Sequence, residues 1–358
     1  MSTLSVSTIT DASGGNTATI NSYTPTESNM AGRNRIINGA MVINQRALGT
    51  TTAAGNYILD RFVSYRSGGA YTVQQSSTAP AGFTNSMLMT NTTAASPTTY
   101  SFFAQIIEGY NVADLGFGTA SAQTITVSFW VRSSVTGIYS ISVTNGDNDR
   151  AYPAQYTINS ADTWEYKTIT LPGDTSGTWA TNNTKGIFLR CNLGSPSART
   201  AAAGAWVAGN YDGADGSTGA TTWANTTGAT FYITGVQLEA GSVATPFEYR
   251  MYGQELALCQ RYYEQTTSVV YKSLLITYST GGSNDVDGVD FMVSKRTTPT
   301  CTISAANDAA NRVSYYNSST STFTVSSIGA TPERITRLVL TTDVTRDVSY
   351  KFTASAEL

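Results

Sequence analysis

Short runs of alternating apolar and polar residues, separated by Gly, Pro, Asp and Asn, dominate the chain from Arg33 to Arg250. This pattern predicts β-strands joined by turns. The predicted strands are Tyr57–Tyr65, Tyr71–Gln75, Ser86–Thr90, Phe102–Ile107, Thr124–Arg132, Ile138–Asn145, Glu165–Leu171, Lys185–Asn192 and Thr230–Glu239. Their number and close spacing favour a jelly-roll β-sandwich over residues 33–250 in an all-β protein.

The strand predicted over Thr124–Arg132 places an aromatic ring on a polar face. Its apolar residues, which share the other face, are Ile125, Val127, Phe129 and Val131. Because successive strand side chains alternate, Trp130 and Arg132 point away from them, beside Thr and Ser. A flat ring among polar groups suits a sugar, whose C–H face stacks on the ring while its hydroxyl groups bind the neighbours. The alternative is that this face packs on the second sheet or on a sister chain.

A short helix and a second set of strands follow. Tyr252–Gln265 is the one stretch with apolar residues at helical spacing, so we expect a helical connector over residues 251–266. The strands predicted after it are Val269–Tyr278, Gly288–Val293, Thr300–Ser304, Arg312–Tyr316, Thr322–Ser326, Ile335–Thr341 and Asp347–Ala354. They predict a second small β-sandwich over residues 267–358, which would form the tip of the molecule.

The first 32 residues have a different character. They are polar, and Leu4, Val6, Ile9 and Ile20 are separated by Thr and Ser. Such a segment cannot bury enough apolar surface to fold alone. It is either a disordered tail or an extended arm that forms strands against sister chains or a docking partner.

Composition excludes several classes of partner. Charged residues make up 13% of the 358 residues and the formal net charge is −3, so there is no broad basic field for nucleic acid or anionic lipid. No window approaches the roughly 20 apolar residues that cross a bilayer, and the N-terminus lacks the pattern of a secretory signal. We therefore expect no nucleic-acid binding, no membrane insertion, and synthesis in a cytoplasm without standard export.

Cysteine and histidine usage argues against an enzyme. Cys191, Cys259 and Cys301 are far apart and odd in number, so we interpret them as buried thiols rather than disulfides or zinc ligands. The chain has no histidine, which excludes Ser-His-Asp triads, Cys-His pairs and HExxH metal sites. Any catalysis would depend on carboxylates, Tyr, Lys or Cys. We predict no cofactor.

Other candidates for glycan contact lie further along the chain. Arg190 alternates with apolar neighbours and is expected on a polar face like that of Trp130. Residues Arg199–Thr227 are rich in Gly, Ala, Asn and Thr, which predicts a long surface loop from which Trp206, Tyr211 and Trp223 project. These aromatic residues either contact glycan or anchor a seam between sister chains.

Clustered acidic residues raise two further possibilities. Asn284–Asp290 could supply oxygen ligands to Ca²⁺, but it lacks the closing Glu of an EF-hand loop, so we interpret it as an acidic hairpin turn. Gly146–Asp149 and Asp212–Gly216 carry a weaker form of the same signal, and we predict no metal site. Glycan hydrolysis would require a pair of carboxylates, and no spacing in the sequence selects one. The candidates are Asp60, Glu108, Asp114, Glu165, Glu239 and Glu248.

Several segments together resemble tail-fibre and related virion structural proteins of bacteriophages. They are RNRIINGAMVINQR, YILDRF, TITVSFWVRSSVTGIYSISV, WEYKTITLPGDTSGTW, ITGVQLEAGSVATPFEYR and ELALCQRYY, and they span roughly Arg33 to Tyr263. The segment LSVSTITDASGGNTATIN is similar to the N-terminal arms of such proteins in tailed phages, including those that infect cyanobacteria.

The resemblance implies a jelly roll similar to carbohydrate-binding modules, a homotrimeric fibre, an N-terminal arm held by a phage tail or baseplate protein, and a distal part that meets host cell-surface polysaccharide. It thus implies a non-enzymatic tail-fibre subunit of the virion, assembled in the host cytoplasm. The first alternative is a structural adaptor or capsid-decoration protein whose aromatic residues serve assembly. A glycan depolymerase is disfavoured, because the short repeats of a parallel β-helix are absent.

Overall fold

Antiparallel strands are the main regular secondary structure of the protein in the computed structural model. The residues it describes are 32–47, 55–96, 98–266, 270–272, 284–305, 310–315, 322–340 and 348–358. The predicted N-terminal arm, apart from Gly32, lies outside them. The chain divides into two units. The first is built from Phe62–Tyr249 with the described parts of Met1–Val42 and Gly49–Tyr57, and the second from Arg250–Leu358 with Ile43–Leu48 and Ile58–Arg61.

The chain from Tyr57 to Ala240 alternates between strands and turns, as the sequence predicts. The strands are β1 Tyr57–Leu59, β2 Phe62–Arg66, β3 Ala70–Ser76, β4 Ser86–Thr93, β5 Ser101–Glu108, β6 Ile125–Ser133, β7 Gly137–Asn145, β8 Arg150–Ile158, β9 Glu165–Leu171, β10 Lys185–Asn192, β11 Thr200–Ala201, β12 Val207–Ala208, β13 Gly213–Ala214 and β14 Thr230–Ala240. Helix α1 spans Thr218–Asn225, and single 3₁₀ turns lie at Gly109–Asn111, Ala113–Leu115 and Ser197–Arg199.

Two sheets form a β-sandwich in the first unit. Within this unit the larger sheet has the order β2-β5-β10-β7-β8-β12, and the smaller sheet has the order β3-β4-β14-β6-β9. Phe231 of the smaller sheet meets Phe103 and Tyr139 of the larger one, with ring centroids 6.1 and 5.6 Å apart. The predicted inner residues of β6 are all buried in this core: Ile125, Val127, Phe129 and Val131. The predicted all-β sandwich is therefore confirmed.

Residues 32–42, which precede the first strand, are part of this unit. Asn34 is buried, and its side-chain oxygen accepts hydrogen bonds from the backbone N–H groups of Ile36 and Leu238, at 2.9 and 3.2 Å. Its amide nitrogen donates to the carbonyl oxygen of Val236 at 3.1 Å. These bonds satisfy backbone groups of β14 within and just after the interruption of its ladder to β6. Asn34 therefore anchors the start of the described chain to the smaller sheet.

Two strand predictions needed correction. The sequence did not predict β8, because Pro153 interrupts its pattern. One edge of β8 pairs with β7, and its other edge pairs with β12 only at Arg150 and Ala151. Proline is tolerated there because no ladder bond from its nitrogen is needed. The single strand predicted over Tyr57–Tyr65 is divided by a turn in which Arg61 has a φ of 71°.

The prediction of a long surface loop over Arg199–Thr227 is wrong. The segment contains β11, β12, β13 and α1. Ala220, Trp223 and Ala224 are buried, and they follow the i, i+3, i+4 spacing of a helix face. The Thr- and Gly-rich composition hides this short helix, because those residues have low helix propensity and its stability comes from packing instead.

The second unit is also mostly β-structure. Its elements are α2 Tyr252–Gln260, β15 Tyr263–Gln265, β16 Val270–Lys272, β17 Asn284–Asp290, β18 Thr300–Ser304, β19 Arg312–Tyr315, β20 Thr322–Ala330, β21 Arg334–Leu340 and β22 Val348–Ser355. The predicted helix over Tyr252–Gln265 is thus shorter than expected, since its last three residues form β15. Strand β22 pairs with β15, β16, β18 and β19, and the order continues β19-β20-β21-β17. Ile303, Leu338 and Tyr350 belong to the core that these strands enclose.

Candidate functional site

An aromatic groove lies on the outer face of the smaller sheet, the face turned away from the sandwich core. Its volume is about 460 Å³. The lining residues come from three strands of the sheet, the loop before β4 and the segment after β14: Phe83, Ser128, Trp130, Tyr166, Gly235, Ala244, Thr245, Pro246, Phe247 and Tyr249. None of these side chains carries a formal charge. We call this surface the aromatic groove.

Trp130 forms its floor together with Tyr166. Trp130 of β6 is directly opposite Tyr166 of β9 in the strand register, and their ring centroids are 5.3 Å apart at an interplanar angle of 45°. Trp130 is half-buried, whereas Tyr166 is 42% exposed. The predicted outward direction of Trp130 is therefore correct, and a second ring that the sequence reading did not select stands beside it.

Gly235 lets the aromatic rings approach the sheet. It has a φ of 63° and lies where the register between β14 and β6 shifts, between Thr234 and Gln237. A Cβ on Gly235 would come within 2.6 Å of the Phe83 ring and 3.2 Å of the Trp130 ring. Glycine is needed here both for the left-handed backbone and for the space that the two rings occupy.

Three aromatic rings form one wall. Phe83 lies 5.2 Å from Phe247 and 5.5 Å from Tyr249, and Phe247 lies 4.9 Å from Tyr249, measured between ring centroids. The Tyr249 hydroxyl donates to the carbonyl oxygen of Gly82 at 2.8 Å, yet the residue is 61% exposed. Partial burial raises the pKa of Tyr249. The wall is thus held in place at one end and open to solvent at the other.

The segment Gly241–Tyr249, which we call the strap, is fastened to the sheet by buried polar groups. Glu239 is 2% exposed and accepts from the backbone N–H and the hydroxyl of Thr245, at 2.9 and 2.6 Å. Gln237 donates to Glu239 at 2.8 Å and accepts from the backbone N–H of Glu248 at 2.9 Å. Because charge-assisted hydrogen bonds of this kind are strong, Glu239 orders the strap that supplies half of the groove lining.

A second row of residues borders the groove on the same face. Arg132 follows Trp130 by two residues on β6 and is the strand partner of Tyr232 on β14. Its guanidinium carbon lies 5.1 Å from the Tyr232 ring centroid, and Tyr232 lies 6.0 Å from Trp164. Arg132 reaches Asp162 at 3.4 Å. We call Arg132, Tyr232 and Trp164 the cationic row.

Arg190 does not lie on an open polar face, contrary to the prediction. It is 2% exposed and pairs with the fully buried Asp212 at 2.9 Å. It also stacks near Phe188, 4.5 Å from the ring centroid. Burial lowers the pKa of Arg190 to about 10, although Asp212 opposes this shift. The chain around Asp212 covers this part of the larger sheet, so Arg190 is removed from solvent and fixes that segment instead.

The three aromatic residues predicted to project from a surface loop lie in different environments, and none of them lines the aromatic groove. Trp206 is half-buried; its indole N–H donates to the carbonyl oxygen of Pro172 at 2.7 Å, and its ring packs with Phe117, Tyr152 and Trp179. Tyr211 is half-buried, against Gly209. Trp223 is 1% exposed, so the prediction that it contacts a ligand from a surface loop is wrong: it is a core residue of α1.

The acidic segments have structural roles where their side chains are described. Asn284–Asp290 forms strand β17 rather than a hairpin turn, and Asp290 pairs with Arg334 at 3.2 Å. In the turn after β7, the Asn148 side chain accepts from Arg190. Within the described ranges, no cluster of three or more His, Cys, Asp or Glu residues could hold a metal ion, and no helix is long and apolar enough to cross a membrane.

The carboxylates considered for hydrolysis are dispersed. Glu239 is buried under the strap, and Glu248 accepts from the backbone N–H groups of Gly32 and Asn34, at 2.7 Å each. Asp114 pairs with Arg35 at 2.6 Å. Burial would raise the pKa of Glu165, but hydrogen bonds from Lys167, Ser160 and Asn159 lower it to about 2. Glu108 is buried in β5; Asp60 is buried in the second unit, where burial raises its pKa although Arg46 opposes this.

A second cavity, of about 540 Å³, lies elsewhere in the first unit. Its walls carry hydroxyl groups and one carboxylate but no aromatic ring: Ser195, Ser197, Thr200, Ala214, Asp215, Gly216, Ser217, Thr218, Thr221 and Thr222. It offers hydrogen bonds without a stacking surface. The aromatic groove is therefore the better candidate for a ligand with both apolar and hydroxyl-bearing faces.

Sequence reasoning found two of the residues on this face, Trp130 and Arg132, and missed most of the groove. Alternation along β9 would have placed Trp164 and Tyr166 on the outer face with Thr168. Phe247 and Tyr249 gave no such signal, because they follow the last strand and reach the groove only through the fold of the strap.

Comparisons with known proteins give weak structural similarities. No family model and no curated protein matches the chain. A solved domain of bacteriophage CBA120 tailspike protein 4, described as enzymatically active, is 12% identical with a TM-score of 0.31 and covers 58% of this chain and 21% of that chain. A family 22 xylan-binding domain from Paenibacillus barcinonensis is 9% identical with a TM-score of 0.30 and covers 60% and 98%. A family 11 carbohydrate-binding module from Clostridium thermocellum is 16% identical with a TM-score of 0.27 and covers 56% and 99%.

Proposed function

We propose that the protein binds glycans through the aromatic groove, without catalysing a reaction on them. The observation that carries this proposal is the pairing of Trp130 with the exposed ring of Tyr166 on the floor of an uncharged groove. Aromatic rings bind the C–H faces of sugars, and the hydroxyl group of the exposed Tyr249 lies at the edge of the groove as a polar partner.

The geometry favours binding over hydrolysis. Glycosidases need two carboxyl groups about 5 to 10 Å apart that both face the scissile bond. The groove lining contains no carboxylate, and the nearest one along β14, Glu239, is buried and bonded to Thr245. It therefore lacks the access to a bound substrate that a general acid requires.

We further propose that this binding serves attachment of a virion to its host, with the chain acting as one subunit of a homotrimeric tail fibre whose N-terminal arm docks on a phage tail or baseplate protein. A shallow sugar site of this size binds on the order of millimolar. Three chains in a fibre and several fibres in a virion raise the effective affinity by a factor on the order of 10² to 10⁴ without new contacts. With such multivalent binding, each site releases its sugar reversibly while the virion as a whole stays attached.

The test is binding of the purified intact protein to an array of bacterial surface polysaccharides, with Tyr166→Ala as the groove variant. Tyr166 is exposed, so its removal spares the core. Tyr110→Ala is the matched control, because Tyr110 is 62% exposed and lies outside the groove. Weaker binding in Tyr166→Ala, with unchanged binding in Tyr110→Ala, supports the proposal. Binding that is absent from the intact protein, or that is unchanged in Tyr166→Ala, contradicts it.

A structural adaptor or capsid-decoration protein is the second candidate function. The observation that favours it is the exposure of Tyr166 and Tyr249, since aromatic residues are also common anchors of protein interfaces. In that case the groove would be covered by another virion protein. Protection of these tyrosines from chemical modification in intact virions, together with no glycan binding by the free protein, would favour the adaptor.

A further inference from the structure

The position of Arg132 relative to the aromatic groove suggests which glycans fit it. Arg132 lies two residues beyond Trp130 on the same face of β6, a separation of roughly 7 Å along a strand. That distance is comparable to the step from one sugar to the next. A linear glycan that runs along β6, with one sugar on the groove floor, would place the next sugar over the cationic row.

Arg132 is more weakly neutralised than Arg190 and Lys167 of the same unit. Its distance to Asp162 is 3.4 Å, and the Asp162 side chain is 55% exposed. By contrast, Arg190 lies 2.9 Å from the buried Asp212, and Lys167 lies 2.6 Å from Glu165. Long, solvated ion pairs contribute little, so a ligand carboxylate could replace Asp162 at small cost.

The orientation of Arg132 is nevertheless restrained. Its guanidinium group lies over the Tyr232 ring, and 25% of its side chain is exposed. Among the described strand residues that face outward from the smaller sheet, Arg132 is the one cation, and the anion Glu239 is covered by the strap. The outer face thus combines a neutral stacking surface with one positive charge at its border. A planar guanidinium held in this way suits bidentate recognition of a carboxylate.

We propose that the groove binds an acidic linear glycan, in which a neutral sugar stacks on Trp130 and Tyr166 and the adjoining sugar presents a carboxylate to Arg132. This inference rests on the proposed glycan-binding function. It adds that the ligand is negatively charged and that Arg132 recognises this charge. Asp162 acts against it as a competing carboxylate for Arg132, and this competition gives the proposal a distinctive test.

The experiment measures binding of the intact protein to matched pairs of polysaccharides. The acidic probes are hyaluronan and heparosan, in which acidic and neutral sugars alternate, and each is compared with its carboxyl-reduced form, which keeps the backbone and removes the charge. We expect at least one acidic probe to bind about tenfold more tightly than its reduced form. Arg132→Gln should abolish this preference, so that the acidic probe and its reduced form bind the variant equally.

Asp162→Asn provides the second arm. Asp162 has a φ of 54°, a conformation that Asn also tolerates, so the turn is preserved. Removing the competing carboxylate should strengthen binding of the acidic probe severalfold, on the scale of an exposed ion pair, and leave the reduced form unchanged. Asp147→Asn is the matched control, because it removes the same charge from an exposed turn of the larger sheet.

The outcomes separate this inference from the proposed function. If acidic and reduced forms bind equally and Tyr166→Ala weakens binding of both, the groove binds glycans but the preference for acidic ones is overturned. An acidic preference that persists in Arg132→Gln, or that Asp162→Asn does not strengthen, also overturns it. If no probe of either series binds the intact protein, the acidic-glycan inference is rejected, and the polysaccharide array with Tyr166→Ala then decides glycan binding separately.

Discussion

Trp130 and Tyr166 are directly opposite each other on β6 and β9, with their ring centroids 5.3 Å apart and the tyrosine 42% exposed. Cross-strand aromatic pairs stabilise a sheet by packing against each other. Here the pair lies on the outer face, so part of its apolar surface stays available to a ligand. The same contact that holds the edge strand β9 in register also builds the groove floor.

The contribution of Tyr166 to binding can be separated into ring and hydroxyl. Tyr166→Ala should weaken glycan binding by about 1 kcal/mol, the scale of one aromatic contact, whereas Tyr166→Phe should retain most of the affinity. Isothermal titration or array binding measures both. Equal losses in the two variants would show that the hydroxyl, rather than stacking, carries the interaction.

Gly235→Ala should reduce both stability and binding. A Cβ there meets the rings of Phe83 and Trp130 and strains a backbone with a φ of 63°, which together cost about 1 to 3 kcal/mol. The control is Gly228→Ala, which has a φ of 87° but open space around the added carbon. Denaturant unfolding measures stability, and only the Gly235 variant should also change glycan affinity. A binding loss in both would argue against a specific role of the groove.

Glu239→Gln should loosen the strap while the sandwich stays folded. The substitution replaces one carboxylate oxygen that accepts from Thr245 by an amide donor, and a buried group left without its partner costs about 1 to 3 kcal/mol. Hydrogen exchange should report faster exchange at the Thr245 amide, with β6 and β14 largely protected. Unchanged exchange at Thr245 would contradict the role assigned to Glu239.

Asp212→Asn should be the most damaging of the charge substitutions. Asp212 is fully buried and bonded to both Arg190 and Arg199, and its neutralisation leaves two guanidinium groups without their shared carboxylate. Breaking such a buried network costs about 3 to 5 kcal/mol. Asp215→Asn, which alters a nearby exposed carboxylate, is the control for unfolding measurements. A similar stability in both variants would contradict this account.

Stability should fall in acid partly through Glu165. Its pKa is lowered to about 2 in the folded protein from the ordinary value of 4.5, so the folded state favours the ionised form. The resulting stabilisation is present above pH 4.5 and is lost as the pH falls towards 2. In Glu165→Gln, thermal unfolding should lose this part of the pH dependence. If the variant loses thermal stability in acid as the wild-type protein does, carboxylates other than Glu165 cause the loss.

The alternation of apolar and polar residues was enough to predict most strands. Glu165–Leu171 and Lys185–Asn192 were predicted with the bounds observed for β9 and β10, because each carries a clear period-two pattern between turns. The outward face of Trp130 followed from the same period. β8 and α1 were missed, since Pro153 and the Thr- and Gly-rich sequence of α1 depart from the local preferences that define such elements.

Exposure and proximity required the tertiary structure. Arg190 and Trp130 both alternate with apolar neighbours, yet Arg190 is covered by the chain around Asp212 while Trp130 lines an open groove. Alternation assigns a side chain to one face of a sheet, but it does not reveal what later covers that face. Likewise, Phe83 and Tyr249 are 166 residues apart and meet only because Glu239 and Gln237 fasten the strap across the sheet. Local patterns thus specify strands and faces, whereas long-range hydrogen bonds and packing decide which face remains available for binding.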